Sequence, residues 1–169
     1  MSKISVKELC VISIMACIEA VMFTMFSQVL YLEGITLTVL LFACVFQCRT
    51  AFLAAVVYGF VNMVFHGITP WTMMYLLIYP VYTLIVCGCK RWISHRVALW
   101  AMLCGFLSFL TGQLLQLPFL LVSKTVTAIY LLTGLKTSLI QGCLSAVLCF
   151  LLFQPLRDVL ERIERRLNV

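Results

Sequence analysis

Apolar positions in this chain do not alternate and do not follow a helical stripe. They run on, in blocks of about twenty residues broken by short polar interruptions. Runs of that length and uniform polarity read as helices that cross a bilayer, each needing roughly 20 mostly apolar residues. The pattern predicts helices over 8–29, 32–48, 50–66, 70–89, 97–118 and 134–153. The breaks are Glu33-Gly34, the polar 47–50 stretch, 66–70 with its glycine and proline, and the basic loop 90–96. After Pro155 the residues 155–169 form a charged, amphipathic helical tail with opposite charges four apart. The segment 118–133 is the ambiguous one. It is apolar and lies between two runs already long enough to span. The favoured reading is an outer loop folded partly over the bundle, where protein covers its backbone; the other reading extends the fifth and sixth helices.

Composition turns the pattern into a class. Of 169 residues 64% are hydrophobic and 11% charged, with a mean hydropathy of +1.13. Soluble domains are about half apolar and a quarter charged, so a soluble enzyme, a nucleic-acid module and a disordered chain are all excluded. The expectation is an all-α integral membrane protein, one transmembrane domain over 1–169 with no room for a second; the second and third runs are tight, so five spanning helices stay open beside the six that the charge distribution favours. No cleaved leader is expected, since the first apolar run leads straight into the next. The net charge of +6 does not form a nucleic-acid surface, because the basic residues are scattered along the chain.

Where the basic residues fall predicts orientation. With six helices, one side carries Lys3, Lys7, Arg49, Lys90, Arg91, Arg96, Arg157, Arg162, Arg165 and Arg166, and the other keeps Lys124 and Lys136. Excess Lys and Arg marks the cytoplasmic face. Both termini are therefore expected in the cytoplasm, with Glu33 among the few charges outside. The nine cysteines lie within or beside apolar runs and include no C-x-x-C pair. They read as small apolar packing residues, with no metal site.

Several polar stripes remain as candidate chemistry. Tyr58, Asn62 and His66 recur every four residues on the third helix, and Trp71, Tyr75 and Tyr79 do so on the fourth. They either wall a ligand pocket or serve as an interfacial aromatic belt with helix–helix hydrogen bonds. Gln113 and Gln116 share a face of the fifth helix; Thr137, Gln141 and Ser145 share one on the sixth, beside Lys136. Lys136 either snorkels to the outer boundary or meets an anionic or carbonyl group of a ligand. Glu19 is the most deeply placed charge, and with no second buried carboxylate a proton-relay role is not expected. Ser13, Ala16, Ala20 and Thr24 form a small-residue face on the first helix, suited to close helix packing. No catalytic triad, metalloprotease motif or phosphate loop is present.

A six-helix chain of this length, with Ala16-x-x-x-Ala20 on its first helix and the run from Leu132 to Leu156 as its last, resembles the S components of energy-coupling factor transporters. The resemblance implies a subunit that captures a vitamin or related micronutrient from outside the cell membrane, here a bacterial plasma membrane. It implies docking through Ala16 and Ala20 on a membrane coupling protein, which binds two cytoplasmic ATPases. ATP and magnesium would belong to those partners, and this chain would carry no cofactor and no catalysis. The ligand set expected from the stripes is Asn62, His66, Trp71, Tyr75, Tyr79, Gln113, Gln116, Lys136 and Gln141. Two other classes compete: a structural membrane scaffold of the MreD-like rod-shape type, and a small stand-alone carrier.

Overall fold

In the computed structural model, which describes residues 4–29, 31–93, 96–121 and 123–167, the described residues are helical throughout with short connections. Helix α1, Val6–Phe26, begins where the Ser5 hydroxyl accepts from the Glu8 N–H at 3.1 Å, a local N-cap. Its composition is apolar on every side, so periodicity does not disclose which face turns inward. The structure buries Val11, Ile12, Met15, Ala16 and Glu19. Helix α3, Cys48–His66, ends at Gly67, whose φ of 78° lies in the region that glycine enters without a side-chain penalty. Helix α4, Pro70–Ile93, starts directly afterwards. Thr69 and Thr72 bond each other's backbone N–H at 2.8 and 3.2 Å there, and Pro70 needs no partner in a first turn.

Helix α2, Ile35–Val45, departs most from expectation. The 32–48 span contracts to 11 residues, about 16 Å at the usual rise, roughly half a hydrocarbon core. Every residue from Ile35 to Ala43 is buried, and α2 touches each of the other five helices. A helix that short leaves both ends inside the protein, where the free N–H and C=O groups need partners. Lys90 supplies them at the C-terminal end, its Nζ reaching the carbonyls of Ala43 and Phe46 at 3.5 Å. Glu33 stands at the N-terminal end. Each charge complements the helix dipole at its end, the acid at the N-terminus and the ammonium at the C-terminus.

Helix α5 spans Val97–Leu114, and a short 3-10 turn covers Leu117–Leu121. Helix α6 then runs unbroken from Lys124 to Leu167, 44 residues or about 66 Å. The favoured outer loop over 118–133 is therefore corrected: only its first part turns, around Pro118, and the rest is the start of α6. Ser123 initiates it, its carbonyl accepting from the Thr127 N–H at 3.1 Å, and no Gly or Pro interrupts 124–133. The tail after Pro155 is likewise continuous with α6. Five helical segments are long and apolar enough to cross a membrane, and α2 is the shorter apolar helix among them.

Packing follows the small residues. Helix α5 lies along α6 more extensively than any other pair. Gly134, Ser138, Gly142 and Ala146 recur every four residues on the α6 face that meets Gly105, Phe109, Gly112 and Gln116 of α5. A Cβ on Gly105 would stand 2.7 Å from the Gly142 carbonyl, and one on Gly142 would stand 2.8 Å from that of Gly105. Side chains larger than hydrogen would force the two backbones apart.

Candidate functional site

Because α2 starts inside the bundle, the carboxylate just before it is carried inward as well. Tyr79 lies nine residues past the start of α4, about 13 Å along the helix, and its hydroxyl donates to Glu33 Oε1 at 2.9 Å. Thr36 Oγ1 donates to the same oxygen at 2.7 Å. The other oxygen, Oε2, accepts from Ser108 Oγ of α5 at 2.5 Å and from Gln141 Nε2 of α6 at 2.6 Å. Ser145 Oγ reaches the Glu33 backbone carbonyl at 3.3 Å, and Ser108 and Ser145 lie 2.8 Å apart. One side chain thus joins α2, α4, α5 and α6. Its four donors are all neutral, so they orient the carboxylate without cancelling a charge.

Above this junction is a cavity of about 220 Å³. Glu33, Tyr75, Tyr79, Thr111 and Gln141 give it polar groups; Phe23, Phe26 and Leu115 supply apolar wall. Tyr75 and Tyr79 stack at 5.6 Å with planes 11° apart, and Phe23 meets Tyr75 edge-on at 5.2 Å. The exposed Ser27, Val29 and Tyr31 of the α1–α2 connection form its rim. Tyr31 holds a φ of 62°, a left-handed conformation uncommon for an aromatic residue. Such outliers gather where surroundings over-determine the backbone, as at ligand clamps.

A second polar group lies behind the first. Glu19 of α1 is 1% exposed, and among the described residues its Oε2 has no hydrogen-bond partner; the buried Tyr58 Oη and Asn62 Nδ2 of α3 likewise have none there. Tyr58 is in electrostatic reach of Glu19, and its ring contacts Phe23 at 6.2 Å and Tyr79 at 5.6 Å. Glu33 is thus a second carboxylate held inside the bundle, against the expectation that Glu19 would be the only one.

Of the expected ligand set, Tyr75, Tyr79 and Gln141 line the cavity. Asn62 is buried in the α1–α3 contact. The exposed His66 meets Phe23 edge-on at 5.5 Å. Trp71, 47% exposed, rests against Phe119 at 5.7 Å, and Phe119 stacks on Tyr130 at 5.1 Å. None of these three rings lines the cavity. Gln113 donates to Ser138 at 2.8 Å and Gln116 to the Gly112 carbonyl at 3.3 Å, so both serve the α5–α6 seam. Lys136 is exposed on α6 and does not line the cavity. Ala16 is 1% exposed, covered by the chain's own packing, while Ala20 is half-buried at the edge of the same face.

Sequence reasoning set Glu33 among the outer charges and passed over Ser108 and Thr36. A signal was present: the acid stands immediately before the most uniformly apolar run of the chain, and that run is too short to lift it to the surface. Comparison of the chain with protein-family models, curated proteins and solved structures gives no match.

Proposed function

We propose that this chain is the substrate-capturing membrane subunit of an energy-coupling factor type transporter, multi-pass in the cell membrane with both termini cytoplasmic. One observation carries the reading: a cavity walled by α1, α4, α5, α6 and the α1–α2 connection, with a buried carboxylate and stacked tyrosines at its base. It opens at the end away from most of the Lys and Arg residues, the outer side by the positive-inside bias. A small concave site with a few convergent polar groups is what ligand capture requires. A scaffold of the rod-shape type needs no such cavity, and a stand-alone carrier is usually built from internal repeats, which the two halves of this sequence do not show.

In this reading ATP hydrolysis resides in two cytoplasmic ATPases, reached through a membrane coupling protein. Docking uses the outer face of α1, where Ser13, Cys17 and Thr24 are exposed beside the half-buried Ala20. Ala16 becomes accessible to a partner only if α1 separates from α3. Mild detergent extraction from native membranes, followed by mass spectrometry of co-purifying proteins and retained small molecules, tests the proposal. Two ATPases, a coupling protein and a bound micronutrient are the expected recovery. Cell-wall or cytoskeletal partners without a ligand would overturn it.

A further inference from the structure

We infer that the cavity takes a small organic cation, an ammonium group carried on a flat or compact apolar body; this rests on the capture reading and names its substrate class. Among the described residues that line the space, Glu33 is the one charged side chain, and none is Lys, Arg or His. Its hydrogen bonds come from two hydroxyls of α2 and α4, a serine and an amide. Four donors fix the carboxylate's orientation and favour its ionised form against the cost of burial, and a cation beside it would act strongly across an interior of low polarity.

The walls point to the same chemistry. Phe23, Phe26, Tyr31, Tyr75 and Tyr79 surround the space, and aromatic faces attract a desolvated cation. The Tyr75 hydroxyl makes no hydrogen bond with any described residue, although Tyr75 lines the cavity directly beside Tyr79. It is free to accept from an N–H of the bound molecule. An anion would meet the Glu33 charge and the negative faces of the rings with no compensating group. A volume of about 220 Å³ limits the occupant to a single small ring or an aliphatic body of similar size.

The test uses the full chain purified in detergent micelles and three probes of one shape: benzylamine, an ammonium at neutral pH, benzyl alcohol and benzoate. Titration calorimetry is expected to give benzylammonium binding at least about tenfold tighter than either of the others. Glu33→Gln should reduce that preference to near unity. Should Glu33→Gln fail to fold, Tyr75→Leu, which touches none of the Glu33 hydrogen bonds, should weaken benzylammonium about three- to tenfold and benzyl alcohol far less. Benzyl alcohol or benzoate binding as tightly as the cation overturns the assignment. So does the absence of saturable benzylammonium binding, or a preference unmoved in a folded variant. The capture reading falls separately: cation binding retained by a chain that recovers no ATPase partners removes the transporter role and leaves the ligand class standing.

Discussion

Glu33 is a residue whose removal and whose replacement should behave differently. Truncation to alanine strands the donors of Thr36 and Tyr79, and leaves Ser108 with Ser145 and Gln141 with the Ser108 carbonyl as their remaining partners. Each buried unsatisfied group costs about 1–3 kcal/mol. Glu33→Ala should therefore lower the thermal unfolding midpoint in micelles sharply, and a midpoint within a degree or two of the parent would contradict the junction. Glu33→Gln keeps the shape and most acceptors, and should lose far less stability. Tyr31 carries the opposite expectation. Its left-handed backbone costs about 1–2 kcal/mol that glycine does not pay, so Tyr31→Gly should leave the midpoint unchanged or raised while removing a wall of the cavity's mouth. A fall in midpoint comparable to Glu33→Ala would show that the ring is needed for folding.

At the scale of elements the α5–α6 seam sets a sharp contrast between two glycines. A Cβ at Gly142 meets the Gly105 carbonyl and Phe109, while one at Gly88 in α4 meets nothing within 4 Å. Gly142→Val should cost about 1–3 kcal/mol through overpacking. Gly88→Ala should gain about 0.4–1 kcal/mol from the lost freedom of the unfolded chain. Unfolding curves of the two variants in the same detergent distinguish them, and similar curves would sink the seam. Lys90→Met tests the buried end of α2, with an expected loss of about 0.3–1 kcal/mol. How much of this was legible follows from what each feature writes into the chain. Apolar runs gave the helices and their order because length and polarity are local properties. They did not give the depth of α2, which depends on how far its neighbours carry it inward. Pro118 and Pro155 both look like helix boundaries in the sequence, yet α6 passes through the second. Tyr75, Tyr79 and Gln141 were found because their spacing repeats; Glu33 and Ser108 meet only in three dimensions, across 75 residues of chain.

For the whole molecule, orientation is the property on which capture depends. A fluorescent protein fused after residue 169 should fluoresce, and alkaline phosphatase fused there should be inactive; the reverse pair would invert the bundle and put the cavity on the inner side. Docking is tested by Ala20→Trp, at the half-buried edge of α1. It should leave benzylammonium binding intact and abolish recovery of ATPase partners. Ala16→Trp is less informative, because a ring there collides with the chain's own core.

Helix α6 also has a mechanical side. The residue that holds Glu33 Oε2, Gln141, and the charged stretch from Arg157 to Arg166 belong to one rod without a turn between them. Any tilt imposed on the charged stretch, by a lipid surface or by another protein, is passed along the rod to the wall of the cavity, through a helix whose one proline is Pro155. The cavity and the far end of the molecule are therefore two points on a single lever. Grip at one end fixes the geometry available at the other.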